Sequence, residues 1–305
     1  MNRDIRMVIC QTEWPLDKTL RHYRKMTPKR SGRWQRLVGV DRIEEADLAV
    51  IIDYTIFELP KHIKKVYMGA HPYGHTVGYR CFDEYKGDPN TLGIHDLRDD
   101  AGFGEWWLEE DYDTLSALEP PKKTKKLISI ISEKTASEGH IARRRYMEKF
   151  CKQYPNDIEI WGRIQPFPEE PNIKRCYKGI LGYTRQDPNF AEYHYMGKTQ
   201  ILKDTRYILE HDDNFGCVHY FSERFFDDLL LWCFPIYHGG GQIDRYLPKN
   251  SFRTFDYNTD PKEIIEMANS DFREKHIEDM REARHLLLNK YQMWARVWED
   301  VKGKM

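Results

Sequence analysis

No run of about 18 consecutive apolar residues occurs in this 305-residue chain, so no membrane-spanning helix is expected. The start, Met1-Asn2-Arg3-Asp4-Ile5, leads into only a short apolar run, without the long apolar region of a secretory leader; a cytoplasmic protein is expected. None of the six cysteines (Cys10, Cys81, Cys151, Cys176, Cys217 and Cys233) belongs to a Cys-x-x-Cys pair, so the usual zinc signature is missing and no metal-ligand cluster stands out. Cys10 and Cys233 lie in apolar runs and read as buried thiols, which fits a reducing compartment better than a disulfide framework. An excess of one charge is also lacking. With 48 Lys and Arg against 49 Asp and Glu, no global field draws the chain to nucleic acid or to a membrane surface. No internal repeat is visible.

Hydrophobic residues make up 40% and charged residues 32%, a globular balance, and 305 residues are comfortable for two domains. Arg6-Met7-Val8-Ile9-Cys10, Leu48-Ala49-Val50-Ile51-Ile52 and Lys65-Val66-Tyr67-Met68 read as buried strands. Their lack of polar alternation suggests parallel strands covered on both faces. Residues 82–118 are acidic, aromatic and irregular, and no elements are assigned there. Glu119-Pro120-Pro121-Lys122-Lys123-Thr124-Lys125-Lys126 then reads as a solvated linker, or alternatively as a basic patch for nucleic acid.

The alternation restarts after it. Leu127–Ile131 is expected as a strand, Glu138–Gln153 as a helix and Asp157–Gly162 as a strand. Tyr207–Leu209 and Phe234–Tyr237 are expected as strands flanking a helix from about Ser222 to Cys233. A short helix over 261–268 and one long helix from about Asp271 to Asp300 complete the chain. Strand–helix alternation in both halves argues an α/β protein with parallel sheets and a ligand cleft at the carboxyl ends of the strands.

The chemistry concentrates between Tyr207 and Phe252. A buried strand ends in Glu210-His211, and the helix that opens near Ser222-Glu223-Arg224 offers free N–H groups and a positive partial charge that favour phosphate. Arg224 in the first turn opposes that dipole, and a bound anion would account for it; Ser222 and Glu223 are equally ordinary capping residues. Gly239-Gly240-Gly241 allows close backbone approach to a ligand, or simply a turn.

This block resembles the α-1,3/4-fucosyltransferases, glycosyltransferase family ten. That family carries, in order, a strand ending in Phe-Glu-Asn, then Tyr-x-Thr-Glu-Lys, Pro-Ile-Tyr-x-Gly and Pro-x-Ser-Phe. Here Glu210 matches the first motif, with His211 for its Asn. Tyr220, Ser222, Glu223 and Arg224 match the second, with Ser for Thr and Arg for Lys. Pro235, Ile236, Tyr237 and Gly239 match the third, and Ser251-Phe252 the fourth. Upstream, Arg143 aligns with the family's donor-phosphate arginine, because Tyr146 and Phe150 keep the family's spacing after it. The resemblance covers about residues 125–256 well and the first 120 only weakly.

The resemblance implies a GT-B arrangement, two Rossmann-like domains facing a cleft. Residues 1–120 would hold the acceptor glycan and 125–272 the GDP-sugar donor, with 273–305 as a helix packing across both. It implies inverting transfer of a sugar, fucose in the family, from GDP-fucose to a hydroxyl, with no cofactor or metal required. Arg143 and Arg224 would hold the diphosphate, Tyr220 the donor, Glu223 the ribose, and Glu210 would border the sugar pocket. Ser222, His211 and Gly239 belong to the same donor set. One departure stands out. The family's catalytic glutamate follows a strand of the first domain, and the register of Val66-Tyr67-Met68-Gly69-Ala70-His71 puts Ala70 there. His71 is the nearest candidate base, with His75 second, since imidazole titrates near neutrality. The alternative is a nucleotide-sugar- or glycan-binding protein with impaired catalysis.

Overall fold

The computed structural model describes residues 3–12, 14–70, 85–97, 100, 104–132, 134–135, 137–162, 170–181, 183–184, 194–195, 197–212 and 219–305. Its first half builds a sheet from β1 (Ile5–Thr12), β2 (Arg33–Trp34), β3 (Leu37–Gly39), β4 (Leu48–Thr55), β5 (Lys64–Met68) and β6 (Thr91–His95). The strand order is β2-β3-β1-β4-β5-β6, and every pair is parallel except β2 with β3. Leu48 to Ile52 of β4 are fully buried, as expected of a strand covered on both faces. Helix α1 (Leu16–Arg24) begins behind Pro15 and buries Leu20, His22 and Tyr23. Helix α2 (Tyr112–Ala117) is capped by Asp111, whose carboxylate accepts from Thr114 N.

The second sheet contains β7 (Lys125–Ile131), β8 (Glu159–Gly162) and β9 (Tyr177–Ile180), then, after the small antiparallel pair β10 (Tyr183–Thr184) and β11 (His194–Tyr195), β12 (Thr205–His211), β13 (Phe234–His238) and β14 (Arg253–Thr254). Its order is β14-β13-β12-β7-β8-β9, all parallel. Helix α3 (Glu138–Gln153) starts where Ser137 Oγ accepts from His140 N, and buries Tyr146, Met147, Phe150 and Cys151 as one stripe. Helices α4 (Pro171–Cys176), α5 (Lys198–Asp204), α6 (Glu223–Leu230) and α7 (Pro261–Asn269) follow. One cluster of buried apolar side chains runs from Met7 and Val50 through Trp106 and Trp294 to Leu127 and Leu209, so the two sheets share a core.

Two expectations are corrected. The terminal helix is not continuous: it divides into α8 (Phe272–Lys275), α9 (Ile277–Leu286), a π-helical turn over Leu287–Tyr291, and α10 (Met293–Val301). The break falls at Gln292, which is extended (φ −66°, ψ 154°) and whose side chain accepts from Trp294 N to start the last helix. There the chain leaves the second sheet, where α9 packs on α6, and crosses to the first, where α10 packs on β6. Nor is the lysine run solvated throughout, although Lys122 and Lys126 are exposed. Lys123 is buried, with its ammonium donating to the carbonyls of Leu202, Lys203 and Leu231, while Lys125 bonds Glu159 and Lys126 bonds Asn269. Three of its four lysines thus serve the protein's own acceptors.

Candidate functional site

In the second sheet the strand order reverses between β7 and β12, and such a switch point opens a crevice at the carboxyl ends of the strands. Arg143 reaches it from α3, and Glu210 and His211 end β12 on the other side. Arg143 is 1% exposed, and its Nη2 donates to Ser132 Oγ at 3.2 Å, just beyond β7. His211 is equally buried, and neither of its ring nitrogens is hydrogen-bonded among the described residues. Tyr257 stacks on the ring at 5.8 Å and Phe255 meets it edge-on at 5.3 Å. Burial, reinforced by the charge of Arg143, holds this imidazole well below its ordinary titration range, so it stands neutral, with one donor and one acceptor to offer.

Glu210 is buried too, and burial pushes its carboxyl up to about 7 even with Arg224 alongside. Arg224 Nη1 lies 3.1 Å from Glu210 Oε1, and its Nη2 donates to His211 O at 2.6 Å and lies 3.4 Å from Asp212 Oδ1. The anions beside this first-turn arginine are therefore the protein's own, which removes the argument that a bound anion is needed to account for it. Ser222 is the N-cap of α6 by backbone conformation; its N–H donates to Asp212 Oδ2 at 3.3 Å. Tyr237 Oη donates to the same carboxylate and receives Gly240 N at 3.2 Å. A Cβ on Gly239 would lie 2.0 Å from that hydroxyl, which is the local reason for glycine there.

Between the two sheets lies a small cavity. Gly69, Ala70 and Glu105 line it from the first half, and Tyr220, Ser222 and Glu223 from the second. Ala70 thus stands at the cleft without a proton-accepting side chain, its N–H donating to Asp53 Oδ1 at 2.7 Å. Asp53 adopts a left-handed conformation (φ 59°) to reach it, a strained backbone for a non-glycine residue. Glu105 was not singled out from the sequence. Its Oε2 accepts from Tyr23 Oη at 2.9 Å, so its position depends on α1, and the surrounding stretch has no periodicity to reveal it. His71 and His75 lie outside the described residues.

The structure therefore gathers Tyr220, Ser222 and Glu223 at the cavity, Arg143, Glu210, His211 and Arg224 around the switch point, and Gly239 on the loop after β13. Among the described residues no group of three His, Cys, Asp or Glu side chains is placed to hold a metal ion, and no helix is long and apolar enough to cross a membrane.

No protein-family model matches the chain, and no curated protein matches it in sequence. Its fold does match solved structures. An α-glucosyltransferase in complex with UDP and a 13-mer DNA containing a central A:G mismatch superposes with a TM-score of 0.53 at 9% identity, over 97% of this chain and 98% of that one. A glycosyltransferase from Rickettsia africae ESF-5 gives 0.50 at 10% identity, over 99% and 98%. An α1,3-fucosyltransferase with GDP-fucose gives 0.38 at 11% identity, over 96% and 83%, a score too low to carry an argument. The fold of this chain is thus the two-sheet GT-B fold found in glycosyltransferases.

Proposed function

We propose that the protein transfers a sugar, fucose in the first instance, from a GDP-sugar to a hydroxyl of an acceptor glycan, with inversion at the anomeric carbon. One observation carries the reading: Arg143 and His211, distant in sequence, converge at the switch point of a parallel sheet in a GT-B fold. In that reading the guanidinium of Arg143 takes the diphosphate, where charge develops as the donor bond breaks. Tyr220 contacts the donor and Glu223 accepts from ribose hydroxyls at the cavity wall. Arg224, clamped by Glu210 and Asp212, adds positive potential and holds Glu210 at the edge of the sugar pocket. The choice of guanine nucleotide and of fucose rests on the ordered motifs between Tyr207 and Phe252.

The second reading, a binding protein with impaired catalysis, draws on Ala70, whose methyl group stands at the cleft where the resembling family has its acid. Thermal-shift and calorimetric titration with GDP, GDP-fucose, GDP-mannose and UDP-sugars tests the donor; selective stabilisation by guanine nucleotides is expected, since a ligand bound to the folded state alone raises its stability by mass action. Stabilisation by uridine nucleotides alone would overturn it. Release of GDP is then followed with a panel of oligosaccharides. Duplex DNA is included because the α-glucosyltransferase above was solved with DNA. Binding with no release across the panel favours the second reading.

A further inference from the structure

Transfer with inversion needs a group that removes the proton of the attacking hydroxyl, and Ala70 has none to offer. The cavity supplies a different carboxylate. Glu105 lines it from the first half, on the wall opposite Ser222 and Glu223. Its side chain is 15% exposed, which admits a substrate hydroxyl while excluding most water. The carboxylate is also fixed in place. Tyr23 donates to Oε2 at 2.9 Å, and the ring of His22, with Nε2 4.0 Å from the same oxygen, packs edge-on against Tyr23 at 4.9 Å and tilted against Trp107 at 5.1 Å. The short segment that carries Glu105 is pinned on both sides: Gly104 N donates to Tyr291 O at 2.6 Å, and Trp107 N to Asp227 Oδ1 at 3.0 Å. Asp53, the neighbouring acid, is instead buried at 5% exposure and engaged by the Ala70 amide.

Building on the transferase reading above, we propose that Glu105 is the catalytic base of this protein. Its carboxylate takes the proton of the acceptor hydroxyl as that oxygen bonds to the anomeric carbon. The bond from that carbon to the diphosphate oxygen breaks in the same step, and its electron pair leaves with the nucleoside diphosphate. The second half of the chain then holds the donor, and the first half activates the acceptor through a side chain at a different place in the fold from the one the motif pattern predicts.

The test begins with the unmodified protein, a GDP-sugar and the acceptor panel, with the anomeric configuration of the product read by NMR. Absence of turnover there overturns the transferase reading itself, and Glu105 as base falls with it. Given turnover, Glu105→Gln is expected to lower kcat by about 10²- to 10⁴-fold, the usual contribution of a positioned base. GDP affinity is expected to stay within about twofold, because the amide preserves the shape of the side chain. Should Glu105→Gln fold poorly, Glu105→Ala is assayed with and without formate, and partial recovery by formate is the expected result. Turnover of Glu105→Gln within about threefold of the unmodified protein overturns the assignment while leaving the transferase reading intact. A loss seen in Asp53→Asn but not in Glu105→Gln does the same, and a product of retained configuration overturns both the assignment and transfer with inversion.

Discussion

Replacing Arg143 by alanine separates donor affinity from fold stability. The guanidinium sits 1% exposed at the β7–β12 switch point and donates to Ser132 Oγ at 3.2 Å. A hydrogen bond between an ionised donor and a phosphate oxygen is worth about 1.5–3 kcal/mol. At about 1.4 kcal/mol per tenfold, its loss raises the GDP dissociation constant about 10- to 150-fold. The unliganded protein pays less. It loses a hydroxyl bond and the packing of the arginine stem, but it also sheds a buried cation that, like Arg224, disfavours charge on His211. Calorimetry reads the affinity, and thermal melts with and without GDP read both terms. At an excess of GDP that stabilises the parent by about 2.7 kcal/mol, about half to nine-tenths of that gain disappears in the variant. Arg144→Ala is the control, since Arg144 pairs with Glu170 at 2.7 Å, and its GDP affinity is expected to be unchanged. An unaltered dissociation constant in Arg143→Ala, or an equal loss in Arg144→Ala, refutes the assignment of the diphosphate to Arg143.

Three further outcomes follow from the packing. Lys198 Nζ lies 2.7 Å from Asp227 Oδ2 with side chains 5% and 0% exposed, so Lys198→Met strands a buried carboxylate and should cost about 3–5 kcal/mol in urea unfolding, partly recovered in Lys198→Met/Asp227→Asn. A loss below about 1 kcal/mol would count against a desolvated pair. His95 is held between Asp100 (Nδ1, 2.9 Å) and Asp300 (Nε2, 2.7 Å), which together raise its pKa above the ordinary 6.5 against the opposing effects of burial and Arg296. The folded state therefore favours the proton: the stabilisation is fully present below about pH 6.5 and fades as pH rises through the higher folded value. The stability gap between the parent and His95→Asn, measured by urea unfolding, should accordingly narrow from mildly acidic to alkaline pH, and a widening gap would be inconsistent with the ion pairs. Gly239→Ala places a methyl group 2.0 Å from Tyr237 Oη and should lower the melting free energy by about 1–3 kcal/mol, a cost that an unchanged melting curve would rule out.

What could be read from the sequence follows a physical divide. Strand β4 shows in Leu48–Ile52 because a strand buried on both faces must be apolar throughout, and α3 shows because Ser137 caps it and its buried stripe repeats locally. Strand β6 was not visible. Its Gly93 makes room for the carboxylate of Asp300, 2.2 Å from where a Cβ would be, so the residue is chosen by a partner at the other end of the chain. The terminal segment kept a helical pattern from Met280 through Trp294, yet the need to cross between sheets broke it at Gln292, a tertiary demand that overrides local periodicity. In the site, the ordered motifs drew attention to Tyr220, Ser222, Glu223 and Arg224. They could not show that Arg224 faces Glu210 and Asp212, because strand register decides that. Glu105 gave no local signal, since Tyr23, 82 positions earlier, sets its orientation.

The last crossing of the chain also bears on how the protein is made. Trp294 is fully buried and its indole donates to Tyr23 O at 2.9 Å, so the final helix is part of the hydrophobic interior of the first-formed sheet. On a ribosome, the opening 95 residues would emerge with that face bare and remain so until nearly all the rest had been synthesised. Closure of so distant a contact comes late, because it waits on the helix that follows Gln292.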